Sequence, residues 1–158
     1  MLMLSRFKDE IIFAIGFTIA YSLLTSIKVT DVYGLWSSLI VLVSISVYYS
    51  ATFFSSQRKT DKLYFFLVTM LLIIAYFAVV YKAFGIIDST TNEKVSPTWK
   101  DAFYFSIVTW TTLGYGDFRP VDDLKPWVMV QAMMGYLYMG LFVGKLLVVF
   151  KQGTENTE

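Results

Sequence analysis

The stretch TWKDAFYFSIVTWTTLGYGD, residues 98–117, decides the fold of this chain. Residues 98–110 are apolar enough to enter a membrane but too few to cross it, because a crossing helix needs about 20 residues. Ser96 and Pro97 form a typical helix start, with a capping hydroxyl followed by a proline at the first helical position. We therefore predict a re-entrant helix, followed by irregular backbone that is buried in protein or lines water.

The residues TTLGYGD, 111–117, carry glycine at alternate positions. Glycine adopts left-handed dihedrals at little steric cost, so Gly114 and Gly116 allow the backbone to alternate between ordinary and left-handed conformations. This alternation would aim successive carbonyl oxygens at one axis, where they can replace the hydration shell of an ion, and Thr112 adds a hydroxyl oxygen. The alternative is a plain turn, since glycine is an ordinary turn residue. The position after a half-length apolar helix favours an ion site.

The composition outside this stretch is that of a membrane protein. Of the 158 residues, 56% are hydrophobic and 16% are charged, whereas about 25% are charged in a typical soluble domain. The net charge of +1 argues against a nucleic-acid partner. The absence of cysteine and histidine excludes disulfides, thiolate metal sites and the commonest general base.

Four apolar runs reach membrane-spanning length, at residues 11–27, 34–54, 63–87 and 124–150. We therefore expect an all-α membrane protein with four transmembrane helices per subunit. The first run follows basic residues, as a cleaved signal peptide does. Its apolar stretch is too long for that role, and no small-residue cleavage site follows it.

Basic residues in the short connections set the expected orientation. Arg6 and Lys8 precede the first run, and Arg58, Lys59 and Lys62 lie between the second and third runs. The positive-inside rule places both regions in the cytoplasm. Both termini are then cytoplasmic, and the loop after the third run faces outward. We expect an integral protein of the plasma (cytoplasmic) membrane.

The residues TLGYGD, 112–117, resemble the filter of the potassium channel family, which reads T-V-G-Y-G-D. The resemblance covers residues 63–150 and implies an outer helix, a pore helix, a filter and an inner helix. Tyr115 implies selectivity for potassium over sodium, because relatives with an acidic residue at this position tend to lose it. The implied function is passive conduction of K⁺, without catalysis and with no cofactor other than K⁺ ions in the filter. The implied ion-binding residues are Thr112, Leu113, Gly114, Tyr115 and Gly116.

Since the chain contains one such motif and no internal repeat, the resemblance implies that four identical subunits surround one pore. The expected partners of each subunit are three identical subunits and membrane lipid. The expected domains are a peripheral helix pair at 1–62, a pore domain at 63–150 and a short cytoplasmic tail at 151–158.

The residues that support the filter depart from the family pattern at two positions. Thr111 and Asp117 flank the filter as the family requires. Many relatives carry two tryptophans where this chain has Tyr104 and Phe105, and the second donates a hydrogen bond towards the aspartate. Phe105 has no donor, and the family's simplest channel has a glutamate where this chain has Val108. We therefore expect the outer end of the filter to be less tightly braced.

Two residues near the ends of the filter have roles implied by the resemblance. Arg119 is expected at the outer mouth, where four copies would form a basic ring. Trp110, just before the filter, is expected to pack against the outer helix.

The last apolar run carries two further candidates. Gly135 lies near the family's gating hinge, although a small residue that allows close helix packing is an equal alternative. Lys145 lies near the cytoplasmic end, either extending to the membrane interface or forming a basic ring at the inner mouth that would oppose cation flow.

The residues that would control opening are missing from the sequence. Voltage sensors need regularly spaced arginines, and the first three apolar runs contain none. Only residues 151–158 follow the last run, too few for a ligand-binding domain. We expect opening to depend on a regulatory domain or subunit outside this chain, or on the pore itself.

Three rival functions are compatible with an apolar chain. A potassium transporter subunit would usually carry four non-identical repeats, and this chain has one. An intramembrane enzyme would need ionisable residues within its spans, and the middle of each run lacks Asp and Glu. A small membrane scaffold is favoured only if the protein does not form tetramers.

Overall fold

The computed structural model describes residues 7–26, 32–55 and 59–155, and this part of the chain is mostly helical. Arg6 and Arg58, which contribute to the predicted orientation, lie outside the described residues. The chain divides into two compact units, residues 1–65 and residues 66–158. The functional assignment of these parts to a peripheral pair and a pore domain stays a prediction.

The first unit contains two packed helices, α1 (Lys8–Ser26) and α2 (Val32–Ser55), and the start of α3 (Lys59–Phe84). Most buried residues of α2 recur every three or four positions, as expected for a helix with one packed face; they include Leu35, Leu39, Leu42, Ser46, Tyr49 and Phe53. Gly16 of α1 meets this face so closely that an added Cβ would lie 2.7 Å from Ile45 Cγ1. The close approach of α1 and α2 therefore depends on Gly16.

A buried ion cluster joins the start of α3 to the start of α1. Lys62 Nζ lies 2.7 Å from Asp9 Oδ2 and 2.9 Å from Glu10 Oε1. The lysine is 1% exposed, and its hydrogen bond holds the pKa of Asp9 below its usual range. The two helices therefore begin side by side. Lys62 was expected in a loop, but it lies in α3, where two carboxylates offset the cost of burying its charge.

Among the described residues, three segments are long and apolar enough to cross a membrane: Tyr33–Phe53, Lys62–Phe84 and Asp122–Val148. The sequence predicted four. Helix α1 does form, but its first turn carries Lys8, Asp9 and Glu10, which shortens its apolar part. A fourth span in α1 stays a prediction.

The second unit continues with α3 and then a small sheet at one end of the helices. The strands are β1 (Ile86–Asp88), β2 (Glu93–Val95) and β3 (Phe118–Pro120), in the antiparallel order β2-β1-β3. The third apolar run was expected to continue as a helix to Ile87, but α3 ends at Phe84. Gly85 has a φ of 81°, the left-handed conformation that commonly ends a helix.

Helix α4 (Trp99–Trp110) forms where the re-entrant helix was predicted, and its start differs from the prediction. Its depth in the membrane stays a prediction. The N-cap is Thr98, not Ser96. The Thr98 hydroxyl accepts a hydrogen bond from the Asp101 N–H at 3.2 Å, and the Asp101 carboxylate accepts one from the Thr98 N–H. This reciprocal capping box satisfies two donors, an advantage that Ser96 and Pro97 lack.

After β3, a 3₁₀ turn (Asp122–Leu124) leads into α5 (Lys125–Glu155), the longest helix of the described chain. The last run was expected to end at Phe150, but α5 continues for a further turn into the predicted tail. Residues 156–158 lie outside the described part.

Candidate functional site

The start of the TLGYG segment, residues 112–116, is bonded to the last turn of α4. The Thr112 N–H donates to Thr109 O at 3.1 Å, and the Leu113 N–H donates to Val108 O at 2.9 Å. Thr111 caps the helix, since its N–H and its hydroxyl both donate to Ile107 O at 2.9 Å. The position of α4 therefore determines where the segment begins.

The backbone of this segment alternates as predicted. Thr112, Gly114 and Gly116 have φ angles of 54°, 48° and 82°. An added Cβ on either glycine would meet nothing within 4 Å, so glycine is required by the dihedral and not by space. Thr112 adopts the same region without being glycine, which is uncommon for a β-branched residue. Its hydroxyl donates to Thr111 O at 2.7 Å.

The carbonyl oxygens of residues 112–116 accept no hydrogen bond from any backbone N–H of the described chain. These residues are exposed in the single subunit. Polar backbone groups normally find partners, so a row of free carbonyls can bind water or a cation.

The outer end of the segment lies beside Tyr104, which the sequence did not predict. The Asp117 carboxylate beside its hydroxyl raises the pKa of Tyr104 to about 12. The Tyr104 ring also stacks on the Tyr115 ring, with centroids 6.3 Å apart and planes 9° apart. The weak brace expected at the outer end of the segment stays a prediction. Tyr104, one position before Phe105, carries a hydroxyl donor that Phe105 lacks.

The two departures from the family pattern lie away from Asp117. Phe105 is 5% exposed and packs edge-on against Tyr81 of α3, with centroids 4.7 Å apart. Val108 is also buried, and only its backbone carbonyl reaches the segment, through Leu113. Both residues belong to the buried side of α4.

The small sheet fastens the backbone that follows the segment. The Ser89 N–H donates to Asp117 O at 2.8 Å, and β3 pairs with β1 in the register Ile87–Arg119. The Arg119 guanidinium donates to Asn92 Oδ1 in the turn after β1. Arg119 is exposed, as an outer-mouth residue would be. The polar turn residues after Asp88 were the available sequence signal for this sheet.

A family model described as "Ion channel" matches residues 69–152, which is more than half of the chain. The chain belongs to the ion channel family. The match begins in α3 and ends in α5, so it includes the re-entrant helix, the free carbonyls and the sheet. This channel is therefore an integral membrane protein of a family that is not one of enzymes. The name filter is used for residues 112–116 from here on; that they select ions stays a prediction.

The channel is also similar to two pore potassium channel a from Oryza sativa subsp. japonica, with 35% identity over 83 residues. That alignment covers 52% of this chain and 24% of the relative, so the chain spans about a quarter of the relative's length. No solved structure matches. Together with the family match, this relative confirms the predicted resemblance.

The candidate hinge Gly135 lies against the end of the pore helix α4. An added Cβ would lie 2.0 Å from Trp110 O, so the absence of a side chain allows the two helices to touch. The close-packing alternative accounts for this glycine, and its hinge role stays a prediction.

Trp110 was expected to pack against the outer helix α3. Its ring instead contacts Tyr138 of the inner helix α5, with centroids 5.5 Å apart. Tyr138 in turn stacks on Phe66 of α3 at 4.9 Å. Tyr138 therefore lies between Trp110 and the outer helix.

Lys145 lies in the C-terminal half of α5 and is 4% exposed in the single chain. The neighbouring Leu147 and Val148 are exposed. A residue that forms a basic ring in water would be expected on the exposed side of the helix. The inner-mouth role of Lys145 stays a prediction.

Proposed function

We propose that this chain is one subunit of a homotetrameric, potassium-selective channel that conducts K⁺ passively. The observation that carries the proposal is the alternation of left-handed dihedrals at residues 112, 114 and 116, together with the free carbonyls of residues 112–116. Rings of backbone carbonyls replace the hydration shell of K⁺ in channels. The bound K⁺ ions would lie at Thr112, Leu113, Gly114 and Tyr115.

The electrostatics of the site favour a cation over an anion. Carbonyl oxygens carry partial negative charge, and the C-terminal end of α4 adds roughly half a negative charge beside the filter. No carboxylate is needed within the filter itself. Asp117 lies just outside it, beside the Tyr104 hydroxyl.

The preference for potassium is supported by Tyr115 and by the name of the rice relative. In the single subunit the Tyr115 ring is stacked on Tyr104 of the pore helix. A ring held at this position limits how far the filter can move sideways. A filter of fixed width discriminates between ions by the number and spacing of its oxygens.

Fourfold assembly is supported by the exposed surfaces of the pore helices. One subunit supplies carbonyls to one side of an ion only. Many apolar side chains of α4 and α5 are exposed in the single chain, and neighbouring subunits would cover part of them. They include Phe103, Ile107, Met129, Met133, Tyr136 and Leu137. Identical subunits usually close a ring by cyclic symmetry. Membrane lipid would cover the outward surfaces.

The proposed location is the plasma membrane, with both termini in the cytoplasm. The buried contact between the starts of α1 and α3 agrees with helices that begin on the same side. Opening would depend on a regulatory domain or subunit outside this chain, or on the pore itself.

Flux through purified protein in liposomes tests the proposal. Under a potassium gradient we expect fast, barium-sensitive flux without added substrate or energy, with K⁺ and Rb⁺ permeating far better than Na⁺. Tyr115→Asp should weaken the discrimination without preventing tetramer formation. A reversal potential that follows sodium as closely as potassium would contradict the proposal. A protein that forms no tetramer would instead favour a scaffold.

A further inference from the structure

Three fully buried polar side chains meet behind the pore helix, one from each long helix of the second unit: Tyr81 of α3, Ser106 of α4 and Gln131 of α5. The Tyr81 hydroxyl donates to Gln131 Oε1 at 2.5 Å. The Gln131 amide nitrogen donates to Ser106 O at 3.0 Å and to Ser106 Oγ at 2.7 Å. The Ser106 hydroxyl then donates to Ile74 O at 2.7 Å.

Glutamine suits the centre of this network because its side chain has one acceptor and two donors. Gln131 uses its acceptor towards the outer helix and its donors towards the pore helix. Burying a polar group without partners is unfavourable, and here each group is bonded. The network therefore holds α4 to α3 and α5 at one defined position.

A second contact one helical turn away makes this position specific. Gln131 and Gly135 are separated by one turn of α5, and Ser106 and Trp110 by one turn of α4. Gln131 bonds Ser106, and Gly135 touches Trp110 O. Because the two contacts are one turn apart on both helices, α4 cannot shift along α5 without breaking the hydrogen-bond network.

The filter depends on this position of α4. Its first two amides are bonded to Thr109 and Val108, within one turn of Ser106. A shift of the pore helix would move these bonds, and with them the first carbonyls of the filter. Gln131 acts on the filter only through α4, because it contacts no filter residue by hydrogen bond.

We propose that Gln131 is a positioning residue for the filter, which keeps the pore helix in register with the inner and outer helices. The inference rests on the proposed function, because it concerns the same filter. It adds a supporting residue that neither the filter motif nor the family match indicates. Removal of the Gln131 amide should make the filter more mobile while the subunits remain assembled.

The test compares parent tetramers with Gln131→Met, which keeps an unbranched side chain of similar length but removes the amide. Amide hydrogen exchange of residues 112–117 and Rb⁺ flux into liposomes are measured on the same preparations. Ser38→Ala is the matched control, because it removes a buried hydroxyl that bonds Leu35 O within α2. Tyr81→Phe removes a single hydrogen bond of the network without creating a large cavity.

For Gln131→Met we expect tetramers that still assemble. In them the Thr112 and Leu113 amides should exchange about tenfold faster than in the parent, because the loss of a buried hydrogen bond makes local opening easier by about this factor. Rb⁺ flux or its selectivity over Na⁺ should fall, and Tyr81→Phe should change the same readouts in the same direction. Ser38→Ala should leave both unchanged. If Gln131→Met does not assemble, Tyr81→Phe decides by the same readouts.

Filter exchange and selectivity equal to those of the parent would overturn the inference. Equal acceleration of all amides in α3, α4 and α5 would also overturn it, because a purely structural residue would act in that way. A parent that conducts no K⁺, with exchange still accelerated by Gln131→Met, would refute potassium conduction and leave the positioning role supported.

Discussion

At the scale of single residues, the filter depends on conformations that few side chains allow. Gly114 and Gly116 are needed for their dihedrals alone, since space for a Cβ is present at both positions. Thr112 takes up the same conformation under the restraint of bonds to the preceding turn. At the other end of the segment, the Tyr104 ring stacks on Tyr115.

Tyr104→Phe removes the donor to Asp117 while keeping the ring that stacks on Tyr115. We expect channels that open normally but lose conduction several-fold faster under sustained driving force, because the outer filter is then free to rearrange. Potassium current decay in planar bilayers measures this. Tyr64→Phe, at an exposed tyrosine of the first unit, is the control, and equal decay rates in the three proteins would contradict the role of Tyr104.

The contact between Tyr104 and Asp117 should be insensitive to pH over the physiological range. Asp117 raises the pKa of Tyr104 to about 12, above the ordinary tyrosine value of about 10. A raised pKa means that the contact contributes fully below about pH 10 and is lost as the pH rises through about 12. The rate of potassium current decay, as far as it depends on Tyr104, should therefore be the same at about pH 6 and at about pH 9.

At the scale of elements, the packing of the pore helix on the inner helix depends on a missing side chain. Gly135 allows α5 to approach Trp110 O, and an added Cβ would overlap that oxygen. Gly140, just over one turn further along the same helix, has open space around it. The two glycines therefore separate the effect of packing from the effect of glycine on helix stability.

Gly135→Ala should destabilise the folded subunit by about 1–3 kcal/mol, the usual cost of overpacking a close contact. Gly140→Ala should be neutral or stabilise by up to about 1 kcal/mol, because alanine favours the helix. Thermal unfolding of the detergent-solubilised tetramer measures both. If the two variants melt together, Trp110 and Gly135 are not in contact.

At the scale of the whole molecule, the charges define what can sense the membrane voltage. The predicted spans contain no arginine ladder, and Lys62 is neutralised by Asp9 and Glu10 within the first unit. Few charges are therefore free to move across the field.

Open probability should depend only weakly on voltage, because each charge that crosses the field contributes about 2.3 kcal/mol per 100 mV. Steady-state conductance over a range of voltages in planar bilayers measures this. A steep curve that requires several charges per channel would show that a voltage-sensing element is present after all.

The local features of this channel could be predicted from its sequence. The alternate glycines at 114 and 116, the half-length helix before them and the apolar runs of the outer and inner helices all follow from rules that act over a few residues. The family resemblance depends on the same contiguous residues. The positions of helix ends were less predictable, because the Thr98 capping box competed with Ser96 and Pro97.

Only the tertiary structure decided which distant residues support the filter. Tyr104 reaches Asp117, β1 pairs with β3, and Gln131 bonds Ser106 across 25 positions of the chain. Neither helical periodicity nor motif spacing relates such residues, since their contact depends on how three helices and a sheet pack together. The sequence by itself determined the alternate glycines of residues 112–116 and the conformations that they allow, and the packing determined what holds this segment in place.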